Sequence, residues 1–192
     1  WVAYELEPAE LIKVTKSKPA FMPDPFIKSG SAEGSDYKGS GYERGHLAPA
    51  ADMRWSEEAL VESYYYSNIA PQKRSLNGGG WKSLEEKIRK WVQTFGPIQI
   101  VTGPIFSDNA KRIGPNKMAV PQWYFKAVLA KFKDEYIAAA YIFPNSKANN
   151  AIGVYMVTID EVEKKTGLNL FHKLPDKIED VIESRITRQY WK

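Results

Sequence analysis

The chain has 192 residues, a net charge of +4 and no cysteine, with 43% hydrophobic and 13% aromatic residues. That composition is too apolar for a disordered polymer and the length suffices for a substantial core, while disulfides, thiolate zinc centres and cysteine nucleophiles are excluded. No run reaches the ~20 consecutive apolar residues of a membrane span, and the modest positive charge is compatible with a polyanionic partner without requiring one.

Residues 1–6 alternate as a strand with no initiator methionine, so the chain reads as a trimmed or mature form of one domain spanning 1–192. Residues 7–40 are rich in Pro, Ser and Gly and read as a long irregular passage, a type usually functional or mobile. A short strand over 42–48 leads into the Pro49 turn. A helix begins with Ser56-Glu57-Glu58, acidic at its positive end, and runs to about Tyr66, with Tyr64, Tyr65 and Tyr66 on its face and in the core. Trp81, Leu84, Ile88, Trp91, Val92 and Phe95 then make one helical stripe. Residues 98–102 form a buried strand ended by the turn Gly103-Pro104, and residues 121–132 and 135–143 pair as a hairpin through Lys133-Asp134. Residues 160–166, closed by Gly167, and residues 176–189 are helices. Strands and helices do not alternate regularly, so the class is α+β with a largely antiparallel central sheet flanked by helices.

Two polar clusters carry the chemistry. The first holds His46, one of two histidines and the side chain whose unperturbed pKa suits proton transfer near neutrality. On a strand, Arg44 and His46 share a face, and the guanidinium disfavours imidazolium, keeping the ring in the neutral state of a general base. Glu43 points the other way and supports the site through hydrogen bonds. The second cluster runs from Asn68 to Arg89. Asn77 stands where a helix begins, before three glycines, and is either its cap or an oxygen ligand; Glu85 and Arg89 are either an i,i+4 surface pair or part of the same site. Eight helical residues rise roughly 12 Å, so Asn77 and Glu85 do not both ligate one ion directly. Mg²⁺ suits so sparse a set of hard oxygens because it keeps several waters. His172 lies between apolar residues and reads as structural.

Tyr42-Glu43-Arg44-Gly45-His46-Leu47-Ala48-Pro49, then Asn68-Ile69-Ala70-Pro71-Gln72, then Leu76-Asn77 with Trp81, Leu84, Glu85 and Arg89, resemble the DNA/RNA non-specific endonuclease family. This is the group of Serratia-type nucleases and mitochondrial endonuclease G, with a ββα-metal (His-Me finger) site. Asp36 to Gly41, Val101 to Pro104, Val120-Pro121, Phe143 to Asn145, Thr166 to Leu168 and Leu174-Pro175 extend the similarity almost end to end.

The resemblance implies a hydrolase cleaving DNA and RNA with little sequence preference and leaving 5′-phosphates. His46 would be the general base and Asn77 the protein ligand of one Mg²⁺, with Mn²⁺ as a substitute. Arg44 and Arg89 would face the phosphate, Glu85 would hold the metal–water network and position Arg89, and Asn68 would support that network. Glu43 stands where the family usually has Asp, which is expected to alter turnover or metal preference. A catalytically weakened nucleic-acid-binding module is the alternative. The resemblance admits a homodimer and a protein inhibitor as partners, no membrane, and, by family habit, a secreted or periplasmic location.

Overall fold

The computed structural model of the protein describes residues 1–148 and 151–191. Its strands are β1 (Val2–Leu6), β2 (Glu43–His46), β3 (Ile69–Gln72), β4 (Ile98–Ile105), β5 (Arg112–Ile113), β6 (Met118–Ala119), β7 (Trp123–Phe132), β8 (Glu135–Pro144) and β9 (Met156–Val157). Its α-helices are α1 (Gly34–Tyr37), α2 (Glu57–Glu62), α3 (Trp81–Phe95), α4 (Ile159–Thr166) and α5 (Asp176–Glu183). Five strands form one sheet in the order β1-β4-β7-β8-β9, antiparallel at every pairing. The class is therefore the α+β arrangement expected. Among the described residues no helix is long and apolar enough to cross a membrane.

Strand β7 explains why the sheet is covered on both faces. Tyr124 and Val128 face one side and join Trp81, Leu84, Ile88, Trp91 and Val92 of α3. Phe125, Ala127 and Leu129 face the other and join Ile159 and Val162 of α4 and Ile182 of α5. A strand buried on both faces reads as a continuous apolar run, because the period-two alternation loses its polar half. Lys126 has the parity of Tyr124 and Val128, so it enters the α3 side of the core.

Several boundaries differ from expectation, each for a tertiary reason. Strand β4 passes through Gly103-Pro104 instead of turning there. Its pairing with β1 stops at Thr102, so Pro104 lies beyond the end of that neighbour and its missing N–H leaves no β1 acceptor unpaired. A Cβ at Gly103 would press on Phe125, which accounts for glycine within the strand. Helix α2 stops at Glu62 because Tyr64 and Tyr66 are captured from outside: Met22 N–H donates to the Tyr64 carbonyl, and Tyr66 N–H donates to that of Met22. Helix α5 ends at Glu183, not 189, since the following tail docks on β8; Thr187 Oγ1 and Trp191 Nε1 both donate to the Ala138 carbonyl, at 3.0 and 3.1 Å.

Strands β2 and β3 form a separate antiparallel ribbon, with Glu43 opposite Gln72 and His46 opposite Ile69. From β3 the chain enters a wide π-type turn, Leu76–Gly80, and then α3. The order β2, β3, α3 gives the ββα unit on which both polar clusters lie.

Candidate active site

Gly45 lets the two strands of the ribbon close. A Cβ there would run into the buried side chain of Gln72, the residue opposite Glu43. On either side of Gly45, Arg44 and His46 share one partner, Phe21: the guanidinium carbon lies 4.3 Å from that ring's centroid and the imidazole 5.5 Å from it. Tyr64 meets the His46 ring edge-on at 4.9 Å. Burial pushes the His46 pKa down to about 4, so the neutral form arises from desolvation and not from the neighbouring guanidinium. Its Nε2 is buried without a hydrogen-bond partner among the described residues.

Glu43 emerges from β2 toward the π-type turn. Its Oε2 accepts a hydrogen bond from Asn77 Nδ2 at 2.9 Å, and Oε1 lies 3.8 Å from Arg74 Nε. Asn77 therefore sits inside the turn that precedes α3 and does not cap the helix; its own N–H donates to the Lys73 carbonyl. With the amide nitrogen committed to Glu43, the carboxamide oxygen is the atom left able to ligate. A hard neutral oxygen backed by a carboxylate fits a hard divalent cation.

Arg89 and Glu85 face the sheet from α3. Arg89 Nη1 donates to Asp52 Oδ1 at 2.7 Å, and Tyr4 Oη donates to Asp52 Oδ2 at 2.9 Å. The ion pair of Arg89 thus runs to Asp52, and neither an i,i+4 surface pair nor positioning by Glu85 describes its contact. Burial raises the Glu85 carboxyl, opposed by the charge of Lys126, and burial lowers the Lys126 ammonium, opposed by Glu85. Lys126 Nζ donates to the Leu47 carbonyl at 3.0 Å and lies 4.8 Å from the Trp81 ring.

Asn68, expected in a metal–water network, has its amide committed elsewhere. Oδ1 accepts from Ala48 N–H at 2.9 Å, while Nδ2 donates to the carbonyls of Ala48 and Ser63. It pins the segment that follows His46. His172 is exposed on a turn whose Phe171 has φ 59°, away from the apolar burial its neighbours suggested. Sequence reasoning missed Phe21, Tyr4, Asp52 and Lys126. Of these, Lys126 had a readable signal, a single cation inside an apolar strand; Phe21 and Tyr4 had none.

The model of the DNA/RNA non-specific endonuclease family matches residues 1–177. Mitochondrial endonuclease G of Bos taurus is 35% identical over 150 residues, covering 71% of this chain and 50% of that protein. The mitochondrial nuclease EXOG of Xenopus laevis is 37% identical over 170 residues, covering 80% and 48%. The chain thus spans about half the length of the curated relatives it matches. The solved EndoG/EndoGI complex, described as the mechanism of EndoG inhibition, superposes with a TM-score of 0.84 at 29% identity, covering 92% of this chain and 79% of that one. These relatives overturn the expected secreted or periplasmic location, since they are mitochondrial nucleases. The family is metal-dependent, and its model covers both polar clusters, the ββα unit and the whole five-stranded sheet: the chain belongs to the DNA/RNA non-specific endonucleases.

Proposed function

We propose that the protein is a Mg²⁺-dependent endonuclease that hydrolyses phosphodiester bonds of DNA and RNA with little sequence preference and leaves 5′-phosphate ends. The observation that carries this reading is the pairing, on one ββα unit, of a desolvated neutral histidine with a carboxamide oxygen oriented through Glu43. His46 accepts the proton of the attacking water, a task its neutral ring can perform without first losing a proton. Arg44 is exposed above Phe21 and binds the phosphate electrostatically, while Arg89, aimed by Asp52, opposes the charge that develops on it. Asn77 holds the cation. When bound, Mg²⁺ supplies positive charge against the phosphate and the departing 3′ oxygen. Contacts of this kind go to phosphates and read no bases, which accounts for sequence tolerance.

Glu43 supports turnover over mere binding, because its carboxylate reaches the metal-ligand amide despite the extra methylene. A protein inhibitor is a further expected partner, by analogy with the similar EndoG in complex with EndoGI. The test is incubation of plasmid DNA and total RNA with the protein in Mg²⁺, with and without EDTA, beside the His46→Ala variant. Both substrates should be cut in Mg²⁺ only, and His46→Ala should lower the rate by at least ~10²-fold while retaining DNA affinity. Intact substrates in Mg²⁺ and Mn²⁺, with binding retained, would instead identify the weakened binding module.

A further inference from the structure

Behind the sheet, remote in sequence from the ββα unit, α4 and α5 bring three carboxylates together. Asp160, Glu163 and Glu183 each offer an oxygen, and these oxygens all lie within 4.8 Å of one another. Asp160 and Glu163 are three apart on α4 and so share a face; Glu183 is the last residue of α5. None of the ion pairs among the described residues involves them.

Glu183 supplies a second, independent observation. It is only 8% exposed, and its Oε1 is buried without any hydrogen-bond partner among the described residues. It also stands at the C-terminal end of a helix, where the peptide dipoles repel an anion, and α5 has no basic residue in its last turn. A carboxylate so buried, facing two more, is a costly arrangement unless positive charge joins it.

We propose that Asp160, Glu163 and Glu183 bind a hard divalent cation of the calcium class that clamps α4 to α5. The donors are all carboxylate oxygens, the set that selects hard ions over zinc or copper. Three carboxylates suit calcium, which takes most of its ligands from protein oxygens, better than magnesium, which keeps several waters and is usually held through one or two carboxylates. Glu163 is oriented for the purpose: its Oε1 accepts from Leu170 N–H at 2.5 Å, leaving the other oxygen to ligate. Asp160 is exposed, so water completes the six to eight ligands that calcium takes. A proton is the competing occupant, since burial first and then the neighbouring carboxylates raise Glu183 to about 7. A proton, however, neutralises one of three charges. The clamp serves stability and stands apart from catalysis.

The test uses the Asn77→Ala variant at pH 8, freed of metal by EDTA and dialysis, so that the nuclease site contributes no binding. Calorimetric titration with CaCl₂ should give one saturable site with Kd of about 10⁻⁵ to 10⁻³ M. At Ca²⁺ a hundredfold above Kd, Tm should rise by about 5–10 °C. Adding Glu183→Gln should abolish both responses. Asp160→Asn, an exposed change that does not threaten folding, should weaken Ca²⁺ binding in the Asn77→Ala background about tenfold and, in the otherwise native chain, leave Mg²⁺-dependent DNA cleavage unchanged. Absence of saturable binding, or binding undiminished by both substitutions, would overturn the site. Mg²⁺ binding as tightly as Ca²⁺ would overturn the assignment to the calcium class. A Tm that rises on acidification to pH 6 but ignores Ca²⁺ would assign the cluster to a proton.

Discussion

His46 is held between Phe21 and Tyr64, and this enclosure sets both its protonation and its cost. Its folded pKa, about 4, lies below the ordinary histidine value of 6.5. Between those values the unfolded chain binds more protons than the native one, so stability rises with pH across that window and is lost as pH falls through it. Urea unfolding from pH 7 to pH 4 should record this decline, and His46→Gln should flatten it; an unchanged slope would remove His46 from the acid response. Asp52 acts through other residues. Being 1% exposed and bonded to both Arg89 and Tyr4, it fixes the direction of the guanidinium. Asp52→Ala should destabilise by about 2 kcal/mol, below the ~3–5 kcal/mol of a fully buried pair because Arg89 keeps solvent access. Cleavage should fall as well, and Tm with kcat on plasmid DNA would check both.

Among the elements, the β2–β3 ribbon is the one the sequence half concealed. Arg44 and His46 on a strand were legible from spacing and from Gly45, but Ile69–Gln72 was not legible as the partner strand, because Pro71 argues against one. A two-stranded ribbon has a free edge on each strand, and there a proline is tolerated. Gly45→Ala tests the ribbon directly. Its methyl would displace the Gln72 side chain in a fully buried position, so a Tm loss equivalent to about 1–3 kcal/mol is expected, with reduced cleavage. Helix α3 and the β7–β8 hairpin were plain from their periodicity, since local patterning and tertiary packing agree there. Helix α2 does not continue to Tyr66 because Met22, far upstream in sequence, donates to the Tyr64 carbonyl and accepts from Tyr66 N–H. The Asp52–Arg89 pair escaped for the same reason: its partners meet only once α3 has docked.

At the scale of the molecule, the charge of +4 is small, so the proposed binding to DNA rests on where cations stand and not on their total. Arg44 is exposed at the site, and Lys73 and Lys111 both approach the Tyr42 ring beside it, at 4.1 and 5.5 Å. Affinity of the His46→Ala variant for duplex DNA should fall linearly on a log–log salt plot, and Arg44→Ala should reduce the slope by about 1, one phosphate contact; an identical slope would exclude Arg44 from the interface. Among the described residues, the ribbon that carries these side chains shares no ladder with the large sheet and is fastened by side chains: Tyr124 and Asn145 donate to the Pro71 carbonyl, Lys126 donates to that of Leu47, and Lys73 N–H donates to Asn145 Oδ1. The part that carries the proposed site is therefore an inset bolted to a frame. With no ladder shared among the described residues, the ribbon's strands can shift without disturbing the register of the sheet, provided the four bolts keep their holes.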